Sequence, residues 1–528
     1  MNGRCPKCTI PRDNLGSNEH FPLHNIQTAI SIFSLSDAHP TTFHATCHEA
    51  DFKPTYHPFW ERLPFTDIFL SITPDILHQI HQGVARHLLR WLASLGAEEI
   101  NARCSHLPLN HNARHFQKGI IGLSRLSGQE HKDISRIVLG VVVDLPLSGR
   151  QSSARLTCAV RALLDFMYLA QYSVQTTATL NALKDALCRF HEEKDIFVEL
   201  GVREHFNIPK FHSLAHYQRS ITLFGSADNY NTEQSERLHI DLTKNMYRAT
   251  NFKDEFKQMT TWLERQEAMH QHATLIELHE HGSARQLTRY PSLQMTLYPF
   301  VTTQPSEKGV TFESLVYRYG AVDFQDALAD FIVSHNNPEL SARVARRRAD
   351  NTLILFQRVS VFHKIRFANH KDPSKQTIDA IHIRPEARTR VGLGAVRPGR
   401  FDTGLVRNGS TICVAQIQVV FQLSKSTTSQ VFLDSRPAPP THLAYVEWFS
   451  QPSAPHPSHG LSQVSRRYHN RHWSASIVPL SNICWSVQLF PVFGPIAPRE
   501  WQSTTVLEEC STFYINSFLD KHMYQNFM

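Results

Sequence analysis

Three separated stretches of this chain concentrate side chains that bind metal ions or take part in phosphoryl chemistry. Residues 229–244 read Asn-Tyr-Asn-Thr-Glu-Gln-Ser-Glu-Arg-Leu-His-Ile-Asp-Leu-Thr-Lys, with three carboxylates, an arginine and a histidine close together. Glu233, Glu236 and His239 recur at three-residue intervals, so a helix would carry them near one face, with Arg237 beside them. Residues 208–217, Ile-Pro-Lys-Phe-His-Ser-Leu-Ala-His-Tyr, offer His212 and His216. Residues 73–79, Thr-Pro-Asp-Ile-Leu-His-Gln, offer Asp75 and His78, with His81 just beyond. Carboxylates gathered from distant parts of a chain are how two-metal phosphoryl-transfer sites are assembled. Mg²⁺ prefers oxygen ligands, and about three carboxylates hold two ions about 3.5–4 Å apart. Each group also has a plainer explanation. Asp75 follows Pro74 at a helix start, where a carboxylate gains roughly 0.3–1 kcal/mol from the helix dipole. Spacing alone makes Glu233 and Glu236 a solvated stripe, and lone helix histidines are commonly just packed.

Cys5 and Cys8 have the Cys-x-x-Cys spacing of half a zinc site. The nearest partners in sequence are His20, His24, His44, Cys47 and His48. Cys47 is preferred, because thiolate is the favoured ligand in structural zinc sites. Redox chemistry is disfavoured, since no βαβ pattern surrounds the pair. Arg343, Arg346, Arg347 and Arg348 form a basic cluster that suits phosphates or a nuclear address, and equally a solvated helix face. Arg397–Arg400 is similarly open. No Walker loop, dinucleotide fingerprint or serine-hydrolase elbow is present.

The elements that must position these residues change character along the 528-residue chain, which is long enough for about three domains. An apolar share of 41% marks a folded protein, and the formal charge of +7 is compatible with nucleic acid without requiring it. Nine cysteines without a secretory signal suggest a reducing compartment and no disulfide framework. No stretch is apolar enough for a transmembrane helix. Residues 1–60 form a Cys/His-containing segment with a short amphipathic run at 26–33. Residues 67–72, Asp-Ile-Phe-Leu-Ser-Ile, read as a strand. From Thr73 as N-cap, Ile76, Leu77, Ile80, Val84, Leu88 and Trp91 recur at helical spacing. Helices are expected at 134–143, 153–172 and 177–192, and from Glu233 onward. A linker with short helices spans 291–352, including one at about 324–336. From 353 to 528 the period shortens, and 353–356, 359–367, 412–421, 444–449 and 485–490 read as strands of a small β-barrel or sandwich.

Taken together, several motifs resemble the Plavaka-type transposases of fungal DNA transposons, related to the CACTA-like group. They are Arg-Cys-Pro-Lys-Cys-Thr (4–9), His-Pro-Phe-Trp-Glu-Arg-Leu-Pro (57–64), Thr-Pro-Asp-Ile-Leu-His-Gln (73–79) and Leu-Leu-Asp-Phe-Met-Tyr (163–168). Phe-Asn-Ile-Pro-Lys-Phe-His (206–212), the 229–241 stretch, Trp-Leu-Glu-Arg-Gln-Glu (262–267) and His-Leu-Ala-Tyr-Val-Glu-Trp-Phe (442–449) complete the set. The resemblance implies an α+β fold: a partial RNase H-like (DDE) core at 61–290, interrupted by an α-helical insertion at about 93–205, then a small β-rich C-terminal domain. It implies Asp75 as the second catalytic carboxylate and Glu236 as the third, with Glu233 in reserve. Both would be Mg²⁺ ligands that activate water or a 3′-hydroxyl against a phosphodiester. His78, His212, His216, Arg237 and His239 would support the site. DNA is the implied partner and the nucleus the implied location, with Zn²⁺ as a second metal at the cysteines. In the family pattern the first catalytic aspartate precedes the Cys-Pro-x-Cys segment, at which this chain begins. The expectation is a truncated, inactive transposase derivative. The alternatives are a non-catalytic DNA- or chromatin-binding remnant, or a nuclease completing its triad with Asp67, Asp144 or Asp165.

Overall fold

The computed structural model describes residues 4–50, 52–149, 151–281, 297–368, 377–388, 396–433, 438–469 and 472–527. They form two compact units built from interleaved stretches: Met1–Trp91, Leu126–His131 and Cys158–Gln294 in the first, the remainder in the second. Together the units make a mixed helix-and-sheet protein.

Among its described residues the first unit is helical, apart from an isolated bridge between Cys8 and Leu23. Beside that bridge, Cys5, Cys8, Ile10 and Leu15 form a small buried cluster. Helices Ile26–Phe33 and Pro40–Glu49 pack Ala29, Ile32, Phe43 and Cys47 against Phe52 and Phe69. The strand expected at 67–72 is instead a short helix, Ile68–Ser71. Asp67 caps it by accepting from the N–H groups of Phe69 and Leu70 at 2.9 and 3.1 Å. The next cap also moves. Asp75, not Thr73, caps the wide π-helical turn Ile76–Ala85, whose Ile76, Leu77, Ile80 and Val84 are buried. Gly83 sits in that turn because a Cβ there would lie 2.7 Å from the His78 carbonyl oxygen. Helix Thr177–Glu193 begins with a reciprocal Thr176–Thr179 capping box. Its Phe190 stacks on Phe211, which also stacks on Trp91. The expected partial RNase H-like core at 61–290 thus shows helices and no strand in its described residues.

The second unit carries the sheets. Its spine is strand Thr411–Gln422, paired on one side with Leu443–Trp448 and on the other with Thr403–Asn408 and Arg358–Phe362. A bulge between Ile417 and Val419 bends the spine strand. Ala475–Pro479 and Glu307–Thr311 are the ends of the sheet's main path. Alternation along Leu443–Trp448 sends Leu443 and Tyr445 toward helices Phe312–Tyr319 and Phe324–Asn336. It sends Ala444, Val446 and Trp448 to a second core. The linker expected at 291–352 holds strands Tyr298–Phe300 and Glu307–Thr311, with residues 291–296 outside the described residues. The 353–356 run lies outside any strand, with Leu353 and Leu355 exposed and Ile354 buried; the ladder starts at Arg358. Arg103 is fully buried in this unit, donating to Glu99 at 2.8 Å and to the carbonyls of Val141, Val143, Gly494 and Pro495.

Candidate functional site

Two groups of reactive side chains meet in the first unit. In the first, the Cys5–Cys8 loop meets the helical turns Pro209–His212 and Ser213–His216. Cys5 Sγ lies 3.3 Å from His216 Nε2, and Cys8 Sγ lies 3.1 Å from His212 Nε2. All four ligand atoms fall within 4.8 Å of one another, and both cysteines and His212 are buried. Bond lengths of about 2.0–2.3 Å to a tetrahedral zinc ion put neighbouring ligands roughly 3.3–3.8 Å apart. The four donors fit such an ion in type, number and spacing. The two thiols titrate as a pair: the hydrogen bond from Cys8, more than burial, pulls Cys5 down, while the same bond and burial push Cys8 up.

The residues that meet Cys5 and Cys8 are His212 and His216, while the expected Cys47 lies elsewhere. Cys47 belongs to the Phe43–Phe52 core, and burial raises its thiol. His44 bonds Tyr56, and His24 packs between the rings of Phe52 and Phe69. The partners of the cysteines are the two histidines that the sequence assigned to the carboxylate site. His-x₃-His on a helical turn is itself half of a zinc pattern, and that signal could have joined the two halves.

The second group centres on His78. Its Nδ1 lies 2.7 Å from Asp75 Oδ2, and its Nε2 lies 2.8 Å from Glu236 Oε1. The imidazole therefore spans two carboxylates that are far apart in sequence. Asp75 Oδ2 also accepts from the His78 backbone N–H at 2.7 Å, and Oδ1 accepts from Thr232 N–H at 2.9 Å. One carboxylate thus serves two helix starts, its own and that of Thr232–His239. Burial raises the Asp75 pKa, but the hydrogen bonds from Thr232 and His78 outweigh it and the net direction is down. Glu236 is half-exposed. Glu233 lies one turn earlier with its N–H bonded to Asn231, and Arg237 and His239 are exposed outside the group.

The two groups are tied together. Lys7, buried between the two cysteines in sequence, donates to the carbonyls of Leu70 and Ile72 at 3.1 and 2.6 Å, just before Asp75. On the histidine side, Tyr217 donates to the Asp75 carbonyl at 3.0 Å and Lys210 to the His78 carbonyl at 3.0 Å. The histidine arm of the Cys/His cluster thus holds the backbone of the Asp75–His78 turn, and the cysteine arm holds the residues leading into it. Residues 1–92 match the family model of the Plavaka transposase. The Plavaka-matching stretch contains Cys5, Cys8, Asp75 and His78, while His212, His216, Glu233 and Glu236 come from beyond it. No curated protein and no solved structure matches the chain.

The other acids considered for a triad are occupied elsewhere. Asp67 caps its helix, Asp165 is buried against Arg189 at 2.8 Å, and Asp144 belongs to the second unit. Among the described residues no group of three carboxylates forms. Of the arginine cluster on helix Ala342–Ala349, Arg346 lines a cavity with Asp330 and Asp350, and Arg348 donates to Asn337 at 3.3 Å. Arg343 and Arg347 are exposed. Arg400 forms a two-pronged bond with Asp402. No helix among the described residues is long and apolar enough to cross a membrane.

Proposed function

We propose that this chain is a Plavaka-type transposase derivative that binds DNA in the nucleus and does not itself cut strands. In this proposal the Asp75–Glu236 pair takes a single Mg²⁺ and the Cys/His cluster takes a structural Zn²⁺. The observation that carries it is the meeting of Asp75 and Glu236 around His78, with no group of three carboxylates among the described residues. Sitting on opposite edges of one imidazole, the two carboxylates would have to close together once the ring moves in order to hold one hard divalent cation, and they fall short of the three carboxylates on which two-metal chemistry relies. A bound Mg²⁺ would supply charge stabilisation to a phosphodiester. Asp75 and Glu236 would hold it, His78 would turn aside from the gap between them, and the Asp75 backbone would stay fixed by Tyr217. The first unit stands in this proposal as the helical part of a DDE-type core. A second reading makes Asp75 solely a double helix cap, favoured by the three hydrogen bonds its carboxylate already accepts out of about four positions.

Mn²⁺ titration and plasmid incubation test the proposal together. One Mn²⁺ per chain, lost in Glu236→Gln, is expected, with salt-sensitive DNA retention and no nicking. Unchanged Mn²⁺ binding in Glu236→Gln would remove the cation site and leave the capping reading. Mg²⁺-dependent nicking that Glu236→Gln abolishes would overturn the inactivity, and DNA retention absent at low salt would overturn the partner.

A further inference from the structure

An acid is buried where the sheet of the second unit would ordinarily place an apolar residue. Along strand Leu443–Trp448, Leu443 and Tyr445 face the helices, and two-residue alternation puts Glu447 next on that same face. Glu447 is 4% exposed. Its Oε2 accepts from Gln418 Nε2 at 3.0 Å and lies 3.7 Å from Arg466 Nη1, too far for a hydrogen bond. The ion pair with the buried Arg466 guanidinium and the Gln418 bond offset part of the cost of a carboxylate this deep, on its Oε2 side. Burial pushes its pKa up to about 7.

Glu447 lines a cavity of about 240 Å³ together with Tyr445, Trp473, Asp323 and His472. Pockets for drug-sized ligands run to about 300–1,000 Å³, so this one suits a single side-chain head. Tyr445 is buried, and Trp473 is fixed by the Arg466 guanidinium 3.9 Å from its ring centroid. At the rim, His472 Nδ1 pairs with Asp323 Oδ1 at 3.1 Å. A hard metal ion would need several oxygen ligands, whereas aromatic walls around one carboxylate favour an organic cation through cation–π attraction. An adjoining cavity shares Asp323, His472 and Trp473 and continues along Asp326, Asp330 and Asp350, against Arg346 and Arg467. That acidic continuation suits a chain with further positive charge on either side of the inserted group.

We propose that this cavity binds the cationic head of a lysine side chain, free or methylated, presented by a basic polypeptide. The proposal is independent of the chemistry assigned to the first unit. Its test is fluorescence anisotropy of the full chain with three labelled basic peptides of one sequence, their central lysine free, trimethylated or acetylated. Acetylation keeps the stem and removes the charge, so it is expected to weaken binding about tenfold or more. Glu447→Gln and Trp473→Ala should weaken the charged peptides similarly. Asp323→Asn, at the rim, should weaken them less while leaving the melting temperature unchanged, which keeps the test valid if a buried variant fails to fold. Equal affinity for the acetylated peptide, or no effect of either Glu447→Gln or Asp323→Asn, would overturn the proposal. So would the absence of binding by every peptide at about 1 mM.

Discussion

Stripping the metal from the Cys/His cluster should destabilise the first unit by an amount that chain geometry sets. The Cys8–His212 contact closes a loop of 204 residues. Constraining a loop of that length removes denatured-state entropy worth about 5 kcal/mol at 25 °C, by the relation used for cross-links. A unit of roughly 230 residues melts with an entropy of about 0.5 kcal/mol per kelvin, so the loss corresponds to a fall of about 10 °C in its Tm. The measurement is scanning calorimetry of the full chain before and after chelation, with metal content determined on the same samples. Cys8→Ser should reproduce the shift and abolish the metal. Cys47→Ser should leave one equivalent bound, since that thiol lies in another core. A shift below about 3 °C, or protein purified without metal, would refute the reasoning. Metal lost in Cys47→Ser and retained in His212→Ala would restore the ligand set that sequence proximity favours.

Two further outcomes follow from buried charge. The folded-state pKa of Asp75 is depressed, so its stabilisation is fully present above the ordinary carboxylate value and is lost as pH falls through the folded one. Acid unfolding of the first unit, followed by circular dichroism below about pH 4, should therefore be shallower in Asp75→Asn. At pH 7, Asp75→Ala should cost about 1–2 kcal/mol, the usual worth of a helix cap, and no change in either measurement would remove its capping role. Arg103→Ala leaves Glu99 with only Arg499 and the Ala497 N–H and frees four carbonyls, so a loss of about 3–5 kcal/mol in the second unit is expected from denaturant titration. A loss under about 1 kcal/mol would show those carbonyls to be hydrated.

Periodicity made the long elements legible. Thr177–Glu193, Phe324–Asn336 and Thr411–Gln422 lie close to where their apolar spacing predicts them. It failed at 67–72, because a short apolar run fits a strand or a helix equally and the capping by Asp67 decides between them. The same local effect moved the next cap from Thr73 to Asp75. At the site, Asp75 and Glu236 stood out by type, and the structure brings them together through His78. The Cys/His cluster was not legible, because a contact across 204 residues leaves no periodic trace and a search among near neighbours favours Cys47. Glu447 shows the complementary limit: its strand is readable from alternation, but an acid on the inward row looks like an outward one until the helices are in place.

The separation of the two halves of the Cys/His cluster also sets an order of events during synthesis. Cys8 leaves the ribosome 204 residues before His212, which at about 5–20 residues per second is a delay of roughly 10–40 s. For that interval the paired thiols lack the two imidazoles of the cluster, and they are open to oxidation and to stray ions. The first unit cannot close around its cluster until the chain has passed residue 216. By then a large part of the second unit's helical portion, 92–125 and 132–157, has already been made. The cysteine arm of the cluster is thus made well before the arm that secures it, and under the proposed metal binding the metal supply during translation becomes a condition for this half of the protein to mature.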